Sequence, residues 1–250
     1  MFSALDTDNE IIDIDTAVQD PSKKYFCPSC RGELVVRAGN VNVAHFAHKS
    51  KCDCDGYDND MSEWHRSWQR KFPLRNREVV LKLDETHPLS INCEKLIRRA
   101  DILCYGHVIE FQNSPISSLE FSERNYFFKL LGKKVVWIFN MIDAFESGMI
   151  ECYEEWWDNK SNGGKYSWKY ASKTFIDFNH NDKDVTLFFQ FSEFNENEED
   201  SYQGYLERVT WAINSDIDDE DTNFKRFCTS YYPANFTGLM EMLKRKYEKS

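Results

Sequence analysis

Asp101, Glu110 and Gln112 are the residues whose types and spacing point most directly to chemistry. They sit in Arg-Arg-Ala-Asp-Ile-Leu-Cys-Tyr-Gly-His-Val-Ile-Glu-Phe-Gln, residues 98–112. This stretch reads as two short strands joined at Tyr105-Gly106-His107. Asp101 opens the first strand. Glu110 and Gln112 are two apart on the second and share a face, with Phe111 opposite. The hairpin can bring Asp101 and Glu110 to one side. Two carboxylates held close repel and persist best with a cation between them. Hard oxygen ligands completed by water suit Mg²⁺ or Mn²⁺.

A second constellation lies nearer the N-terminus. Cys27-x₂-Cys30 makes a tight turn with both thiols inward, and His45-Phe-Ala-His48 follows. Residues 33–37 read as a strand, 38–40 as a turn and 41–44 as the returning strand. His45 and His48, three apart, would face the same way on a helical turn. Two thiolates and two imidazoles make a tetrahedral Zn²⁺ set, and a closed set of four is structural. Buried free thiols beside two ordinary histidines are the plainer alternative. The module has too little apolar content to fold easily without a metal. Cys52 and Cys54 follow at once.

The elements that would position these residues are legible around them. Ser62 reads as an N-cap opening a helix to Phe72, with Trp64, Trp68 and Phe72 as its buried stripe and Arg66, Arg70 and Lys71 on more exposed positions. Residues 78–83 read as a strand. Ser117-x-x-Glu120 looks like a capping box for a helix to about Leu131, stopped at Gly132. The apolar run Val135 to Phe139 suits a strand buried on both faces. Residues 166–170 and 174–178 read as paired strands. Their aromatics and lysines could stack bases, but sheet packing is the simpler account. Further on come a strand over 184–191 and a helix over 236–247. Residues 1–24 are polar and acidic, with an edge strand at 11–14 or 17–19.

The net charge of −11 is unevenly spread. Basic residues outnumber acidic ones from Ser62 to Lys134, whereas Glu193 to Asp221 holds eleven acids against one arginine. That is compatible with nucleic acid on one face only, the acidic stretch reading as a solvated loop. No apolar run is long enough to span a bilayer, and the Asp-rich start does not read as a signal peptide. Eight cysteines without a secretory signal suggest reduced thiols and a cytoplasmic setting, some of them reserved for metal. No Ser/His/Asp or Cys/His/Asn set and no Gly-rich phosphate loop is recognisable.

Asp101 with Glu110-x-Gln112 resembles the core of the PD-(D/E)xK nuclease superfamily. The ordered set of motifs more closely resembles the competence protein CoiA-like nucleases: Cys27-Pro-x-Cys30, His45-Phe-Ala-His48, Ser62-Glu63-Trp64-His65 with Trp68, Arg98-Arg99-Ala100-Asp101, Ile109-Glu110-Phe111-Gln112 with Ser114, Ile116-Ser117, and Glu123-Arg124 with Tyr126. The third active-site position is Gln112 rather than the superfamily's Lys, so it brings no charge. The resemblance implies an α/β, restriction-endonuclease-like mixed sheet flanked by helices, with a small N-terminal zinc module. Its divisions would be a polar segment 1–24, a zinc module 25–57, a nuclease core 62–192, and an acidic segment with a C-terminal helix, 193–250. It implies a metal-dependent deoxyribonuclease acting in DNA uptake and recombination or in defence against foreign DNA. Asp101, Glu110 and a helix carboxylate, Glu63, would hold catalytic Mg²⁺ or Mn²⁺, and Gln112 would position water. His65, Arg99 and Arg124 would contact DNA. Cys54 matches a further family cysteine, so four of Cys27, Cys30, His45, His48 and Cys54 would hold Zn²⁺. The partner is DNA, with room for a protein partner or a homo-oligomer and none for a membrane. The alternative is a catalytically silent nucleic-acid-binding or adaptor protein that keeps the fold, or a zinc-containing protein–protein module docked through the acidic segment.

Overall fold

The computed structural model describes residues 1–20, 22–39, 43–52, 54, 62–157, 162–169, 182–192, 206–213, 224–231 and 235–248. The strand expected over 174–178, the start of the one expected over 41–44, and most of the acidic stretch lie outside these residues. The chain divides into two compact units. Met1–Cys104 with Val108–Asn113 forms one, and Tyr105–His107 with Ser114–Ser250 forms the other.

The first unit opens with β1 (Ser3–Leu5), β2 (Ile11–Asp13), α1 (Ile14–Gln19), β3 (Tyr25–Phe26), β4 (Glu33–Arg37) and β5 (His45–His48). These strands form an antiparallel sheet in the order β2-β1-β3-β4-β5. Phe2, Ala4, Ile14, Ala17, Tyr25, Leu34 and Phe46 fill its core. β1 and β2, from the polar start of the chain, thus pair into the same sheet as β3, β4 and β5. The strand returning from β4 begins at His45, later than its sequence suggests, with Leu34 opposite His48 and Arg37 opposite His45.

The same unit continues with α2 (Glu63–Arg70), β6 (Arg77–Lys82), β7 (Ile97–Cys104) and β8 (His107–Gln112), the strands ordered β6-β7-β8. The Ser62 hydroxyl accepts from the His65 amide and caps α2. Tyr105 and Gly106 both have positive φ, 48° and 72°. A two-residue turn of that kind matches the twist of an antiparallel hairpin. Trp68 is buried and stacks on Phe111 with centroids 5.3 Å apart. Arg66, expected on the exposed face, is buried instead. It pairs with Asp15 and lies over the Phe2 ring, while Arg77 reaches Asp13 at 2.9 Å.

The second unit contains α3 (Ser118–Leu130), β9 (Lys134–Asn140), α4 (Ile142–Glu146), β10 (Ile150–Trp157), β11 (Asn162–Lys169), β12 (Val185–Gln190), β13 (Leu206–Ile213), β14 (Phe224–Ser230) and α5 (Phe236–Glu248). Its strands run β10-β11-β14-β13-β12-β9. The pair β9 and β12 is parallel and the others are antiparallel, so the sheet is mixed. Ser117 accepts from the Glu120 amide and caps α3. Within this unit Glu207 is buried and accepts from Tyr166 Oη at 2.8 Å and Thr229 Oγ1 at 2.5 Å. The mixed α/β fold with a large mixed sheet and few helices is the class the sequence led us to expect.

Candidate functional site

Two sites of different chemistry lie in the first unit. Cys27, Cys30, His48 and Cys54 bring one ligand atom each to within 4.8 Å of one another. Cys30 Sγ lies 3.4 Å and Cys54 Sγ 3.5 Å from His48 Nε2, and Cys27 Sγ lies 4.0 Å from Cys54 Sγ. Tetrahedral zinc bond lengths imply edges of about 3.6 Å between sulfur and nitrogen and about 3.8 Å between sulfurs. The arrangement therefore fits a closed four-ligand centre and can hold a structural metal such as zinc. The amides of Ser29 and Gly32 each donate to a thiol at 3.4 Å, which also suits thiolate charge.

His45 stands apart from this set. Both histidines lie on strand β5, not on a helical turn, and residues three apart on a strand face opposite ways. His45 Nδ1 meets the Val43 carbonyl at 2.8 Å, whereas His48 joins the cysteines. The expectation that the two would share a face is corrected accordingly. Cys52 is exposed, with Sγ 3.1 Å from Cys54 Sγ. Burial, reinforced by the neighbouring thiols, pushes the Cys54 thiol up, so closing a metal centre there would release protons.

The second site is built on β7, β8 and α2. Asp101 and Glu110 are both buried. Asp101 Oδ2 accepts from the Phe111 amide at 2.8 Å, which places its carboxylate beside the residue following Glu110. Asp101 Oδ1 lies 3.1 Å from His65 Nε2, and Gln69 Nε2 lies 3.2 Å from the same imidazole nitrogen. One nitrogen cannot donate to Asp101 and accept from Gln69 together. Protonated at Nε2, the imidazole donates to Asp101. Gln112 is half-buried at the end of β8.

Four expected site residues lie elsewhere or do something different. Glu63 faces away from Asp101. Its side chain is 60% exposed and pairs with Arg70 at 3.1 Å. Residues two apart on a helix point nearly opposite ways, so an α2 that turns His65 toward β7 turns Glu63 out. Among the described residues, the Cys/His set is the only group of three or more such ligand atoms within 4.8 Å of one another. The three expected DNA contacts are buried. His65 meets Asp101, Arg99 donates to Cys27 Sγ at 3.5 Å, and Arg124 pairs with Glu120 at 3.5 Å over the Phe128 ring. A buried guanidinium needs a partner in the protein, supplied for Arg99 by a residue far along the chain and for Arg124 by its own helix.

Two residues passed over in the sequence belong to this neighbourhood. Gln69 is one helical turn from His65, a spacing that could have flagged it. Glu78 lies on β6 at the position across from Asp101, since Arg77 pairs with Ile102 and Val79 with Ala100. Its φ is +49°, a conformation unfavourable for a side chain in a strand. Three donors hold it there: the Phe2 amide at 2.8 Å, and the Ser3 amide and hydroxyl at 2.6 Å each.

Residues 13–57 match the family described as Competence protein CoiA, N-terminal domain, and residues 84–197 match Competence protein CoiA, nuclease-like domain. The chain belongs to the CoiA-like family. The Competence protein CoiA of Bacillus subtilis (strain 168) is 29% identical over 121 residues, which is 46% of this chain and 31% of that protein. The match therefore spans under a third of the curated relative's length. No solved structure gives a significant match. All four clustered Cys and His residues of this CoiA-like chain fall inside the N-terminal match, and Asp101, Glu110 and Gln112 fall inside the nuclease-like one. His65 and Gln69 lie between the two matches.

Proposed function

We propose that this CoiA-like protein is a metal-dependent nuclease that hydrolyses DNA phosphodiester bonds, in DNA uptake and recombination or in defence against foreign DNA. The observation that carries the reading is a pair of buried carboxylates on one hairpin, Asp101 and Glu110, one of them held by an imidazole and a backbone amide. Burying carboxylates is unfavourable unless positive charge or donors compensate. Asp101 and Glu110 are hard oxygen donors and fit Mg²⁺ or Mn²⁺; Glu63 does not fit. When bound, such a cation supplies Lewis-acid stabilisation of phosphate charge and lowers the pKa of water. His65 fixes the Asp101 carboxylate and carries a proton at Nε2, Gln69 orients that imidazole, and Gln112 offers amide donors and an acceptor at the hairpin's end without adding charge. Zinc in the Cys/His centre has a structural role in this reading, because four protein ligands leave no open position.

A second reading is a silent nucleic-acid-binding protein. It is favoured by the neutral Gln112 and by the pairing of Glu63 with Arg70 away from Asp101. Incubating the purified chain with linear, circular and single-stranded DNA and with RNA, in Mg²⁺, Mn²⁺ or EDTA, separates the two. Nuclease activity should appear with a divalent cation and vanish in EDTA. Binding without cleavage under every condition supports the silent reading. Among the described residues no helix is long and apolar enough to cross a membrane.

A further inference from the structure

The buried arginine on β7 has a use that neither site explains alone. Arg99 and Asp101 are two apart on β7 and share a face of the strand. Asp101 reaches His65, and Arg99 places Nη2 3.5 Å from Cys27 Sγ. Both Arg99 and Cys27 are buried. Three thiolates, one neutral imidazole and a divalent cation leave one net negative charge. A buried guanidinium against one of those sulfurs balances it, and a charge pair of that kind is strong when water is excluded. We propose that Arg99 is a positioning residue acting through Cys27: it neutralises the metal-loaded Cys/His centre and fixes β7 against it, so that occupancy of the centre sets the placement of the strand that carries Asp101.

This inference rests on the metal reading of the Cys/His cluster and is independent of whether DNA is cleaved. Its test uses the full chain loaded with zinc. Zinc retention is measured against a chromophoric chelator for wild type, Arg99→Met, Arg99→Lys and the control Arg37→Met, an exposed position on β4. Arg99→Met should lose zinc about tenfold more readily or worse, as expected for a group supporting a metal ligand. Arg99→Lys should recover part of the loss, and Arg37→Met should match wild type. A folded Arg99→Met that holds zinc as tightly as wild type overturns the proposal. Wild-type protein covers the case in which Arg99→Met does not fold. Stripping its zinc should raise hydrogen exchange in peptides over 97–104 while leaving 134–140 unchanged. Unchanged protection of 97–104 in the stripped protein, or a wild-type chain that takes up no zinc, overturns the proposal as well.

Discussion

Replacing Glu207 with glutamine should remove a pH dependence of stability that wild type carries. Burial, with a smaller contribution from Glu155, pushes the Glu207 carboxyl up from 4.5 to about 7, and the hydrogen bonds from Thr229 and Tyr166 offset only part of that. An acid whose folded pKa is raised binds its proton more tightly in the folded chain. Its favourable contribution is complete below the unfolded value near 4.5 and is lost as pH climbs to about 7. At about 1.36 kcal/mol per tenfold change in proton affinity, the rise from 4.5 to about 7 amounts to about 3 kcal/mol over that window. Glutamine keeps the size of the side chain and an oxygen for Tyr166 but cannot ionise. Urea unfolding followed by circular dichroism, between pH 4.5 and 8, measures the difference between wild type and Glu207→Gln. That difference should move in favour of the variant by about 3 kcal/mol as pH rises. A difference constant across the range would mean that burial does not hold the proton on Glu207 and that it ionises in the folded chain as an ordinary carboxyl does.

His48→Ala should release the metal from the Cys/His centre, while His45→Ala should leave metal content unchanged; native mass spectrometry of both variants reads this directly. Glu63→Ala should lower stability by no more than about 1 kcal/mol, since its partnership with Arg70 is solvent-exposed, and should leave nuclease activity near wild type. Thermal unfolding and a DNA-cleavage assay check the two halves of that statement.

Features fixed by a few neighbouring residues were legible in the sequence. Ser62 and Ser117 cap their helices through the third residue along, and Tyr105-Gly106 turns the hairpin that carries Asp101 and Glu110. Features fixed by partners far along the chain were not. A spacing of three places His45 and His48 together on a helix and apart on a strand, and only pairing with β4 decides between these. Which side of α2 faces β7 is a tertiary choice: the family resemblance implied Glu63 as a metal ligand, where the structure puts His65 against Asp101. Arg99 was expected to contact DNA because its partner, a thiol 72 residues away, is invisible until the chain folds, whereas Glu120, the partner of Arg124, stands four residues earlier on the same helix, a spacing the sequence does show. The first strand shows the same limit. Phe2 and Ser3 carry no signal of their own, yet they satisfy a strained Glu78 some 75 residues later.

Cleavage by carboxylate variants decides whether Asp101 and Glu110 hold a catalytic cation. Asp101→Asn and Glu110→Gln keep shape and hydrogen-bonding capacity while removing the charge that would hold a divalent cation. Wild type, the two variants and Glu63→Ala are assayed side by side on linear duplex DNA with Mg²⁺ or Mn²⁺, with DNA binding measured in EDTA. Asp101→Asn and Glu110→Gln should each lose about 100-fold or more in cleavage while still folding and binding DNA, and Glu63→Ala should cleave like wild type. Undiminished, metal-dependent cleavage by both carboxylate variants would rule out a catalytic cation held by Asp101 and Glu110.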